Sequence, residues 1–155
     1  MKAKPSTPAA LLLALPLFLG GCARGYDMGA NFLASDVPAH AVIGERLLSG
    51  RVLLYADRTG SLTLTTAGDA ALSCMGSMRY TANSSGMVSL RCSDGTQASL
   101  PFTALGEMSG HASGRTGTQV EASLAYGLDP DPARAWLTPP AGKRLVVSGD
   151  RLQLE

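Results

Sequence analysis

Three cysteines and two histidines are the residues of this 155-residue chain best suited to chemistry. His40 and His111 are the side chains whose ordinary pKa allows proton transfer near neutral pH. His111 lies in Leu105–Gly117 (LGEMSGHASGRTG), with Glu107, Ser109, Ser113 and Arg115 close in sequence. A serine hydrolase would need a histidine oriented by a carboxylate, and an oxyanion site. The segment holds those residue types, but its sequence gives no reason for them to converge, so catalysis is not expected. Gly110–Gly117 (GHASGRTG) is superficially like a phosphate loop, yet it lacks the Lys-Ser/Thr ending that such loops use on phosphate and metal. Cys74 and Cys92 are expected to pair, and no remaining His/Cys cluster has ligand spacing, so neither metal nor cofactor is expected. What the segment can supply is charge of both signs. Glu107, His111 and Arg115 are therefore the candidate binding residues of a loop on a rigid scaffold. Trp136 is expected to serve the core beneath a short helix, with an exposed binding anchor as the other reading.

Cys22 belongs to a different pattern. Met1-Lys2-Ala3-Lys4 is a basic head, and Leu11 to Leu19 (LLLALPLFL) is an apolar run. That run is too short for a permanent bilayer helix, which needs about 20 residues. A basic head, a short apolar run and small residues describe a secretory signal peptide over residues 1–21. Leu19-Gly20-Gly21-Cys22 resembles the lipobox of bacterial lipoproteins. The resemblance covers residues 1–22 alone. It implies cleavage before Cys22, a diacylglycerol thioether on its sulfur, and often an acylated (for example palmitoylated) amino end. Two or more acyl chains anchor stably where one does not. Ala23 stands where that family uses Asp for inner-membrane retention, which points to the outer membrane, facing the periplasm.

An export signal implies an oxidising compartment, where two remaining thiols form a disulfide. Loss of Lys2 and Lys4 with the signal turns the formal charge of +1 into about −1. No basic patch emerges, so a nucleic-acid partner is excluded. The expected partners are the membrane, through the lipid, and an envelope protein or peptidoglycan.

The scaffold is read from periodicity. Residues 22–45 read as lipidated N-terminus and tether, and 46–155 as one β-rich domain. Arg51–Asp57 and Ser61–Thr66 (SLTLTT) flank a turn at Asp57-Arg58-Thr59-Gly60 and predict a hairpin. If Cys74 faces Cys92 in an antiparallel ladder, then Gly76 faces Leu90, Met78 faces Val88 and Tyr80 faces Gly86, all on one side. Met75/Arg91, Ser77/Ser89 and Arg79/Met87 fall on the other, more polar side. One register closes the disulfide and sorts the two faces, and a one-residue slip spoils both. Gln97–Thr103 alternates, with Pro101 outward, predicting an edge or bulged strand. Thr118–Tyr126 places Val120, Ala122, Leu124 and Tyr126 inward. Leu105–Gly117, with its glycines, reads as a loop. Asp131-Pro132 predicts the start of a short helix through Leu137, stopped by Thr138-Pro139-Pro140. Arg144–Val147 and Arg151–Leu154 predict a last hairpin. The fold class is mainly β: a small antiparallel sandwich or barrel of about seven to eight strands with one short helix.

The expected role is a non-catalytic binding or structural module of the cell envelope. Small, disulfide-bearing, lipid-anchored β-barrels also occur as membrane-anchored lysozyme inhibitors, so inhibition of a lysozyme-like hydrolase is the alternative, and a small periplasmic enzyme a lesser one. Cys22→Ser should abolish acylation, since a hydroxyl does not replace the thiol as acyl acceptor. Detergent phase partitioning and mass spectrometry of the amino end check this; an unlipidated native chain would refute it.

Overall fold

Apolar residues at every second position drive this chain into strands whose two faces meet different surroundings. The computed structural model describes residues 34–68 and 71–155. Cys22, the signal peptide and the tether to residue 33 lie outside the described residues. Eight strands run β1 Ser35–Ile43, β2 Arg46–Leu54, β3 Thr59–Thr66, β4 Ser73–Tyr80, β5 Ser85–Cys92, β6 Gln97–Gly106, β7 Ser109–Arg115 and β8 Glu121–Tyr126. Each pairs with the next, and β1 pairs antiparallel with β8, closing a barrel. A short helix, α1 Pro130–Arg134, and a hairpin of β9 Leu145–Ser148 and β10 Arg151–Leu154 complete the chain.

Leu48, Val52, Leu62, Leu64, Met78, Val88, Leu100 and Leu124 fill the barrel interior. An eight-stranded barrel is just wide enough for side chains to do this. Outward positions on β3, β5 and β6 are Ser, Thr, Gln and Arg with a few Met and Pro, an arrangement opposite to that of a membrane-spanning barrel. The expected β4–β5 register is present residue for residue, from Cys74↔Cys92 to Tyr80↔Gly86, and the disulfide is formed. Closing that 18-residue separation stabilises the fold by about 3 kcal/mol in the loop-entropy account.

Four expectations need correction. Ser35–Ile43, placed in the tether, is strand β1. Its alternation is hidden because both faces are covered: Ala39, Ala41 and Ile43 face the barrel core, while Val42 joins a second apolar cluster with Ala125, Ala133, Leu137 and Leu152. Strands buried on both sides read as continuous apolar runs. Most of the Gly-rich Leu105–Gly117 is not loop but the end of β6 and all of β7. The strand expected from Thr118 starts at Glu121; Gln119 takes φ 67° in the preceding turn, and Val120 is exposed rather than inward. The helix starts two residues early, with Asp129 at its N-cap position and Pro130 in its first turn, and Asp131 instead ion-pairs with Arg134 at 3.0 Å.

Pro101 is not at an edge, because the closed barrel has none. It faces Met87 in β5, and the β6–β7 ladder lapses around it, between Ala98↔Thr116 and Phe102↔Ala112. A residue without an N–H cannot complete a two-sided ladder.

The segment after β8 covers the β1–β8 seam from outside. Leu137 and Leu152 are buried there, each worth roughly 1.5–3 kcal/mol relative to exposure. Thr138 N–H donates to the buried Ser123 hydroxyl of β8 at 2.9 Å. His40, on the outer face of β1, is 8% exposed and bonds through Nδ1 to Ser49 Oγ at 3.1 Å. Burial lowers its pKa below the ordinary histidine value, so the folded state prefers the neutral ring. The unfolded chain takes up that proton near pH 6.5, before the folded one does. Stability is therefore complete above about pH 6.5 and falls as pH drops toward the lower folded-state value. Asp57 and Asp94, held low chiefly by hydrogen bonds from Thr59 and Thr96, act only at more acidic pH. Melting temperature should rise from about pH 5 to 7, and His40→Gln should flatten that rise; circular dichroism melts at each pH check it.

Candidate functional site

One end of the barrel holds the start of β1 and the turns β2–β3, β4–β5 and β6–β7. The other holds the disulfide and the remaining turns. Inside the first end three aromatic rings pack edge to face: Tyr80 on Phe102 at 4.7 Å and Phe102 on Tyr126 at 6.2 Å between centroids. The Tyr80 and Tyr126 hydroxyls are 3.4 Å apart. Burial, and then the contact with Tyr80, keeps the Tyr126 phenol protonated well above the ordinary tyrosine range. Two glycines make this packing possible. A Cβ on Gly110 would stand 2.5 Å from the Tyr126 hydroxyl, and one on Gly86 2.5 Å from the Phe102 ring. These glycines of β5 and β7 thus serve space rather than flexibility.

With the interior filled, concave surface is left on the outside and at the rims. One groove, of about 870 Å³, runs over the outer face of β4, β5 and β6 to the end of β7. Ser77, Ser89 and Ser99 form one cross-strand row of its floor, and Met75, Arg91 and Gln97 the next. Arg115 reaches it from β7, beyond the stretch where the Pro101 region interrupts the ladder. Among the described residues no carboxylate lies within ion-pair distance of Arg91 or Arg115. Arg115 does have the Glu121 carboxylate as its cross-strand neighbour on β8. The groove thus presents hydroxyls and two guanidinium groups that make no direct ion pair, a setting for carboxylate or phosphate oxygens.

No family model, no curated protein and no solved structure matches this chain.

The three candidate binding residues are placed apart. Arg115 lines the outer groove. Glu107 lines a separate rim groove of about 520 Å³ with Arg58, Tyr80 and Asn83. His111 is on the outer face of β7, stacked on Trp136 at 4.1 Å with 15° between the planes. Trp136 is 40% exposed, so it is not the core residue expected beneath the helix. The two histidines share a cross-strand row, His111 opposite Ala125 and Ala125 opposite His40. One strand separates them, a span of about 10 Å, so they do not act as a pair. Arg91 and the serine row were missed as site residues. The signal was present in the polar face of the β4–β5 register, and carrying that register into β6 would have added Ser99 to the row.

Gly110→Ala should lower stability by about 1–3 kcal/mol through overpacking against Tyr126. Arg115→Ala on the same strand should stay within about 0.5 kcal/mol. His111→Ala should lie between, at about 0.5–1.5 kcal/mol for a lost ring contact, and should shift the emission of Trp136, the single tryptophan. Urea unfolding followed by fluorescence measures all three.

Proposed function

We propose that this protein is a non-catalytic binding module of the bacterial cell envelope, held by lipid on Cys22 at the periplasmic face of the outer membrane, and that its outer groove docks peptidoglycan. The pair of arginines without direct ion pairs, above a serine floor, carries this reading. Peptidoglycan stem peptides offer carboxylates for Arg91 and Arg115, and glycan hydroxyls complement Ser77, Ser89 and Ser99. The filled interior favours contact on the outside over enclosure of a small ligand. The separation of His111 from Glu107 and Arg115 favours binding over acid–base chemistry.

A second reading, inhibition of a lysozyme-like hydrolase, draws on the closed, disulfide-bearing barrel, the architecture that membrane-anchored lysozyme inhibitors share. Fold likeness alone does not carry function.

Cosedimentation with purified sacculi tests the first reading. The double change Arg91→Ala and Arg115→Ala should reduce binding at least tenfold, equal to about 1.4 kcal/mol. Both arginines are exposed, so melting temperature should hold. Binding unchanged in the double variant removes the groove. Capture of a protein by crosslinking, with no sacculus binding, replaces peptidoglycan by an envelope protein. Lysozyme inhibition by the wild-type chain transfers the function to the second reading.

A further inference from the structure

We infer that the barrel end carrying Leu105 and Met108 rests on the lipid bilayer that holds the Cys22 anchor, an inference that depends on the lipidation proposed above. The direction of the chain sets the geometry. β1 begins at Ser35, at the end where the β2–β3, β4–β5 and β6–β7 turns lie. Twelve residues, 23–34, separate it from Cys22. A segment of that length spans at most about 40 Å. The anchor therefore holds this end near the leaflet at high effective concentration, and the disulfide end points away.

At the tethered end, the β6–β7 hairpin overhangs its neighbours. β6 pairs with β5 only as far as Thr103↔Ser85, and β7 pairs with β8 only from Gly110↔Tyr126. Beyond those pairs Ala104 N–H still donates to the Ser84 carbonyl at 2.7 Å and the Met108 backbone abuts Gly127, while Leu105 remains 45% and Met108 51% exposed. Leu105 is the last outward residue of β6 and Met108 lies in the two-residue turn that follows, so two apolar side chains, each about half open to solvent, stand together at this end. Beside them, Tyr55 and Tyr80 are half-buried, and Arg58 lies 5.1 Å over the Tyr80 ring. Tyrosine and arginine, with apolar bodies and polar tips, suit the headgroup layer. Asp57, Glu107 and Asp129 at the same end are exposed carboxylates that set a limit on depth. The contact is thus shallow and apolar rather than an attraction between a basic patch and anionic lipid.

The test uses lipidated full-length protein in vesicles of phosphatidylethanolamine and phosphatidylglycerol. An environment-sensitive fluorophore is placed on Glu107→Cys, between the two apolar residues, or on Glu45→Cys in the β1–β2 turn at the far end. Vesicle binding should blue-shift the label at 107, lipids brominated along their acyl chains should quench it, and the label at 45 should change in neither respect. Adding Leu105→Ser and Met108→Ser to the Glu107→Cys protein should remove most of that quenching while the protein still floats with the vesicles. Floating protein with no quenching at 107, equal quenching at both ends, or quenching that survives the serine pair would overturn the orientation alone. Protein that does not float and carries no lipid on Cys22 by mass spectrometry would overturn the anchor, and the orientation with it.

Discussion

The seam between β1 and β8 is the contact on which everything else rests. Five residue pairs, from Ala39↔Tyr126 to Ile43↔Ala122, turn an eight-stranded sheet into a barrel. Without them the sheet has two unpaired edges and its apolar face is open to water. The pairing is short, so its strength comes from what encloses it. On the inside, Ala41, Ala122 and Leu124 are buried in the main core. On the outside, Val42 and Ala125 are buried beneath α1 and the β9–β10 hairpin. Hydrogen bonds shielded from water on both sides resist opening better than those of an exposed ladder.

The same enclosure explains what could and could not be read from the sequence. The β4–β5 register was legible because two independent constraints, disulfide closure and apolar alternation, select the same pairing. β1 was illegible because a strand covered on both faces has no alternation, and SDVPAHAVI then resembles an irregular tether. β7 was illegible for another reason. The glycines of Leu105–Gly117 read as marks of a loop, whereas Gly110 exists to admit the Tyr126 ring. The helix start was misplaced because Asp129-Pro130 and Asp131-Pro132 repeat one signal two residues apart, and the chain uses the first. Trp136 reads as a core residue beneath the short helix, and nothing in its neighbourhood in sequence foretells a stack on His111, 25 positions earlier on strand β7.

The candidate groove was half legible. The polar face of β4–β5 was identified, but only as the face that is not core. Its meaning as a concave surface depends on β6 and on the interrupted ladder near Pro101, both of them non-local features. Arg115 was singled out for its charge and does line the groove; Glu107 and His111, chosen with it, lie elsewhere because β7 crosses the barrel wall and carries them to different levels. Proximity in sequence along a strand is separation in space, at about 3.3 Å per residue.

The placement of the cover has a consequence for the order of events during folding. β1 is the first strand made and β8 the last of the barrel, and the residues that seal their seam come later still, at 145–154. Every other strand pair is local and can form as the chain emerges. Closure is the one step of high sequence separation, and such contacts are slow because loop entropy is lost before the contact is gained. A partly emerged chain is thus an open sheet with a bare first strand. The seam pairs can form once β8 has emerged, and the β9–β10 hairpin then buries their outer face, so the clasp closes before its cover arrives.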